Sequence, residues 1–267
     1  MAYWLDTWRF RNSIEYEFKW AGKYGAKGEK RKKKIKATPE QIRKQNQKNR
    51  EKYVRRIIKA NFEPGDLWIT LKYPAKTKKP LQEVKRDFKN FIESLRGKYK
   101  RRGQPLKYVY RLEVGKKGGI HIHMVVNRIR GEDTDLLIQK SWPHGRVNYT
   151  SIYESGGYEE LAAYITKMPD KEVEKQLSLL PEEERKEFIS FNSSRNLIRP
   201  QPERKVYSKW TIRRLVEEGP KPTKGYYIDK ESLYIGVNPY TGMSYLKYTE
   251  YKIGKIAPVQ PKWGGGG

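Results

Sequence analysis

A chain of 267 residues is long enough for one large domain, or a domain with an appendage, around a buried core. Its 58 Lys and Arg against 31 Asp and Glu give a formal charge of +27, more than solubility requires, so a polyanion is the expected partner. The lack of cysteine excludes disulfides, thiolate metal sites and thiol nucleophiles, and no run of about 18 apolar residues or signal pattern is present, so a soluble, non-secreted protein is expected. Tyrosine is abundant, at 20 residues, and serves both base stacking and nucleophilic attack.

In chain order, "WRFRNSIEYEFKW" alternates Tyr16, Phe18 and Trp20 with charged residues, the period of a strand. The stretch from Gly25 to Lys36 is too basic and polar for a core and reads as an arm. Thr38 and Pro39 open a basic helix running to about Ala60, with Val54, Ile57 and Ile58 on its late apolar face. "GDLWITLKYP" is a compact apolar strand. Leu81, Val84, Phe88, Phe91, Ile92 and Leu95 follow at helical spacing, from Pro80 to a stop at Gly97. "LKYVYRLEV" and "IHIHMVVN" predict two strands joined by the loop Gly115 to Gly119. "GRVNYTSI" is a further strand, and a helix runs from Gly156 to Lys167 before Pro169. Beyond it come acidic helices, a helix capped by Ser208, and tyrosine-rich strands around "NPYTG". The order strand, helix, strand, strand, strand, helix predicts an α+β fold with a central antiparallel sheet and flanking helices, not a doubly wound sheet. The expected segments are 1–37 (strand and basic arm), 38–205 (main domain, with an acidic helical stretch at 169–190), 206–263 (a small helix and β-hairpin module) and 264–267 (a glycine tail without structural logic).

Chemistry concentrates in "GKKGGIHIHMVVN", which holds two of the three histidines. Residues two apart on a strand share a face, so His121 and His123 project together. A symmetric hairpin sets Glu113 across from His121 on that face. Two imidazoles and a carboxylate with open positions suit Mn²⁺ or Mg²⁺, which would polarise a phosphate oxygen; the bland reading is a surface histidine pair. A nucleophile is then required. In "YITK", Tyr164 and Lys167 share a helical face, phenol for attack and ammonium to balance phosphate charge.

"LWITLKY", "HIH" and "YITK", in this order, resemble the three motifs of the HUH endonucleases, specifically the rolling-circle replication initiators of bacterial plasmids and phages. "WPHGRV" and "SRNLIRP" are also similar, and the resemblance spans roughly Ala60 to Pro200. It implies a ferredoxin-like or RRM-like sheet carrying helices on one face, and a metal held by Glu113, His121 and His123. It further implies that Tyr164, assisted by Lys167, attacks single-stranded origin DNA to leave a 5′-phosphotyrosine and a free 3′-OH. Origin DNA, including an origin hairpin, a host helicase and a host polymerase are the implied partners, in the cytoplasm of a bacterial host. Oligomeric state is left open.

Some relatives carry a second tyrosine one turn earlier, where this chain has Glu160, so a one-tyrosine mechanism is expected. Lys72, Arg111, Lys116, Lys117 and Arg146 are expected to track the phosphate backbone, which positions DNA without reading it. His144 is a loop histidine with a phosphate contact or a third ligand as its alternative roles. A relaxase or single-strand transposase would share the chemistry. A noncatalytic nucleic-acid-binding protein or a small-molecule metallohydrolase would not.

Overall fold

Alternation of apolar and polar side chains starts the fold, in a computed structural model that describes residues 2–21, 37–115, 117–152, 157–237 and 243–254. Strands β1 (Ala2–Arg9) and β2 (Ser13–Trp20) pair antiparallel. Helix α1 (Pro39–Asn61) opens with a capping box: the Gln41 N–H donates to the Thr38 hydroxyl at 3.2 Å and the Thr38 N–H to the Gln41 side chain at 2.9 Å. There follow β3 (Leu67–Lys72), α2 (Leu81–Lys100), β4 (Tyr108–Val114), β5 (Ile120–Val126), α3 (Thr134–Ser141), β6 (Arg146–Ser151) and α4 (Gly157–Thr166). The remainder comprises α5 (Lys171–Ser178), α6 (Glu182–Ile189), β7 (Asn192–Ser193), β8 (Glu203–Ser208), α7 (Lys209–Glu218), β9 (Tyr226–Ile228), β10 (Tyr234–Val237) and β11 (Ser244–Lys252). The chain divides into two units, one of Gln45–Ile198 and one of Met1–Lys44 with Arg199–Ile256.

The first unit holds an antiparallel sheet in the order β6-β3-β5-β4-β7. Its four long strands and two intervening helices follow the β-α-β-β-α-β plan of ferredoxin-like folds. Period two divides their side chains between two faces. On one, Leu67, Ile69, Leu71, Leu112, Ile122, Met124 and Val147 pack against Phe88, Phe91 and Leu95 of α2 and Ile138 of α3. On the other, Trp68, Val109 and Val125 meet Val54, Ile57 and Ile58 of α1 and Leu161 and Ile165 of α4. Helices therefore cover both faces, not one as the resemblance implies. The second layer has a physical reason: one end of that face is apolar and needs cover, while the other end carries the histidines.

Two sequence expectations for this unit change. Gly97 does not stop α2, which runs on to Lys100, because Tyr99 is fully buried and its hydroxyl donates to the Asn127 carbonyl. Helix α3, absent from the sequence reading, is short and anchored by buried Ile138 and by Thr134, whose hydroxyl accepts from the Ile129 N–H at 2.8 Å.

In the second unit, β10-β11-β2-β1-β8 form one sheet with β9 added beside β11. Helix α7 begins at Ser208, which caps the Thr211 N–H, and ends at Gly219, with a φ of 80°. Its Ile212 packs on Tyr3, Leu5, Phe18 and Leu246. The N-terminal strand and the C-terminal module, read from sequence as separate segments, are thus parts of a single sheet, because β1 needs β8 and β2 needs β11 to complete their hydrogen bonding. The basic arm, the "NPYTG" turn and the glycine tail lie outside the described residues.

Candidate active site

Antiparallel register arranges the face beneath α4 in rows. Arg146, Lys72, His121 and Glu113 lie opposite one another across β6, β3, β5 and β4; the next row is Asn148, Thr70, His123 and Arg111. The hairpin loop keeps this alignment. Gly115 N–H donates to Gly119 at 2.8 Å and Gly118 N–H to Gly115 at 2.8 Å, with Gly118 at a φ of 78°, where glycine is favoured. Glu113 is accordingly the cross-strand partner of His121, as the symmetric hairpin predicts.

The side chains converge diagonally. Glu113 Oε2 lies 2.6 Å from His123 Nε2 and accepts the Tyr164 hydroxyl at 2.8 Å, and that hydroxyl is 3.3 Å from the same imidazole nitrogen. Thr70 Oγ1, 3.1 Å from His123 Nδ1, orients the ring from behind. Trp68 stacks on it, with centroids 5.6 Å apart, and meets the Tyr164 ring edge-on at 5.5 Å. The sequence reading missed both, although Trp68 and Thr70 alternate with apolar residues in "LWITLK" and so share the face of Lys72.

These contacts fix the charges. Burial alone would raise the pKa of Glu113, but contact with His123 and its charge, with the Tyr164 hydrogen bond, pull it down from 4.5 to about 2. Tyr164 is pushed well above its ordinary value by burial and then by the Glu113 carboxylate, so it rests as a neutral donor. His121 is shifted down by burial and by the charges of His123 and Lys72.

Helix α4 presents Tyr164 because Leu161, Ala162 and Ile165 turn the opposite way into the core. Tyr158 is buried, its hydroxyl donating to the Phe62 carbonyl at 3.3 Å, and Glu160 is exposed. Arg111 corrects the sequence reading. It is only 4% exposed and cannot track DNA from the surface. Its Nη1 donates to the carbonyls of Tyr164 at 2.9 Å, Ile165 at 3.3 Å and Lys167 at 2.7 Å, and its Nη2 to that of Phe188 at 3.2 Å. A cation there satisfies orphan carbonyls and opposes the negative end of the helix dipole. Gln47 of α1 adds a bond to the Thr166 carbonyl at 2.7 Å.

Lys167 is exposed just past the helix end. Lys72 is half-buried, Lys117 and Arg146 are exposed, and Lys116 lies outside the described residues. His144 is not beside the histidine pair; it faces Asp87 of α2 at 3.7 Å.

By donor chemistry the site fits a divalent ion: two imidazoles and a carboxylate share one face, and Glu113 Oε2 and His123 Nε2 already meet. His121 stands apart, its ring 6.3 Å from that of His123, and among the described residues no three His, Asp, Glu or Cys side chains are gathered around one point.

The fold and site define an α+β protein whose central antiparallel sheet presents a tyrosine, carboxylate and imidazole in mutual contact. Residues 66–169 match the model of a family of replication-associated proteins, described by its ORF2 and gene II members, and that span includes Trp68, Thr70, Arg111, Glu113, both site histidines and Tyr164. This match supports a replication-associated protein with a DNA partner. No curated protein and no solved structure matches the chain. Among the described residues no helix is long and apolar enough to cross a membrane.

Proposed function

We propose that this chain is a rolling-circle replication initiator of the one-tyrosine HUH type, which nicks single-stranded origin DNA through Tyr164. The observation that carries the reading is the contact of the Tyr164 hydroxyl with Glu113 and His123, within the stretch that resembles replication-associated proteins. Tyr164 Oη forms a bond to the scissile phosphorus as the bond to the 3′ oxygen breaks. The phenol proton goes to a base, Glu113 Oε2 and His123 Nε2 being the acceptors in reach, and the leaving oxygen takes up a proton as the free 3′-OH. Attack by a hydroxyl on the resulting 5′-phosphotyrosine reverses the sequence and rejoins the strand. Glu113, His121 and His123 would hold Mn²⁺ or Mg²⁺, which supplies polarisation of a phosphate oxygen. Lys167 balances phosphate charge, and Lys72, Lys117 and Arg146 hold the backbone. Arg111 keeps the nucleophile's helix in place. The sequence has no Walker glycine loop, so unwinding and synthesis fall to a host helicase and polymerase in the bacterial cytoplasm.

The test incubates the protein with labelled single-stranded oligonucleotides tiled over its own replicon, with Mn²⁺ or with EDTA. A covalent adduct is expected with Mn²⁺, absent with EDTA and absent in Tyr164→Phe. Binding without adduct across the tiling would sink the catalytic reading and leave a basic nucleic-acid-binding protein.

A further inference from the structure

Strand β7 pairs only with Val109 and Tyr110, so beyond them the outer edge of β4 has no strand partner among the described residues. A cavity opens at that edge, between β4, the end of α4 and α5, and takes in Glu113 of the reaction centre. Its polar lining is Arg111, Glu113, Lys167 and Asp170, and Met168 and Val173 are among its apolar walls. We propose that this cavity holds one nucleobase of the bound strand, the base adjoining the phosphate presented to Tyr164, and so reads sequence where the basic residues only grip phosphate. The inference rests on the nicking reading for the placement of the strand.

Two observations carry it. The row Arg146, Lys72, His121, Glu113 runs across the sheet and ends at the cavity, so a strand laid along it with its reactive phosphate at Tyr164 delivers its next nucleotide there. The second is chemical. Arg111 is buried, its Nη atoms are committed to carbonyls, and its Nε–H has no hydrogen-bond partner among the described residues. An unpaired buried donor is costly, and an acceptor on a ligand would relieve it. A phosphate is a poor candidate, since Glu113 and Asp170 would repel it. A purely apolar group would leave the Nε–H unpaired. A base edge offers acceptors to Arg111 and Lys167, donors to the carboxylates, and a flat apolar body to Met168 and Val173.

The experiment exposes the full-length protein to a randomised single-stranded DNA library with Mn²⁺ and sequences both the covalently captured and the noncovalently bound strands. Wild type is compared with Met168→Trp, which fills the cavity from a residue 51% exposed, and with Val173→Ala, which widens it. Wild type should show a preference of about tenfold at one position beside the junction, the scale of one base contact, dropping to below about twofold in both variants while other positions keep theirs. If a folded variant retains the wild-type profile at every position, the cavity reads nothing and the proposal is overturned. A wild-type sample with bound but no captured strands defeats the Tyr164 chemistry instead. The bound pool then decides the cavity: a preference erased by Met168→Trp upholds it, and an unchanged pool removes it.

Discussion

Glu113 accepts from a phenol and touches an imidazole with the same oxygen, so its charge is the hinge of the site. Because its pKa is depressed from 4.5 to about 2 in the fold, the stability it contributes is present above pH 4.5 and is lost as pH falls from there towards 2. The shift corresponds to at most about 3 kcal/mol. In EDTA, urea titrations of wild type should therefore show stability declining over that window, and Glu113→Gln should flatten this part of the curve; an unaltered acid limb would mean that the carboxylate is not held as described. At this scale much was legible: period two placed His121, His123 and Glu113 on one face, and helical spacing presented Tyr164. Arg111 was not. It shares the face of His123, but nothing in "YRLEV" says that the end of a helix more than fifty residues later comes to rest on it, and a basic residue on a basic protein reads by default as a phosphate contact.

Strand β6 is joined to β3 at a very close approach. A Cβ at Gly145 would lie 2.2 Å from the Lys72 carbonyl oxygen, and the glycine holds a φ of +154°. The adjoining turn is packed by Trp142, which is fully buried. Gly145→Ala must push backbone from backbone, at a cost of about 1–3 kcal/mol. A Tm lower by roughly 5 °C is expected by calorimetry, and an unchanged Tm would show that the turn relaxes freely. The elements that sequence revealed best were those with long, regular patterns: α2 from its six apolar positions, and β3 to β6 from compact apolar runs. Helix α3 escaped notice because its eight residues are too few to establish a period. The far end of α2 was misjudged because a glycine's local preference is weaker than the burial of Tyr99 just beyond it.

Across the whole chain, the earliest strands depend on the latest. β8 has β1 as its only strand partner among the described residues, and β11 leans on β2 along six residue pairs. Removing residues 1–20 should thus strip hydrogen-exchange protection from the amides of β8 and β11, while β3 and β5, paired within their own sheet, keep theirs. Protection retained at β8 would show that the C-terminal strands stand alone, as their sequence had suggested. The same dependence has a price in time during synthesis. At roughly 5–20 residues per second, β1 and β2 leave the ribosome on the order of 10–40 s before β8 exists. Until then their hairpin exposes Tyr3, Leu5 and Phe18, which α7 and β11 will later cover, along with two unpaired edges. The nascent N-terminus is therefore the part of this protein most exposed to wrong partners, and the segment on which a holding chaperone would act.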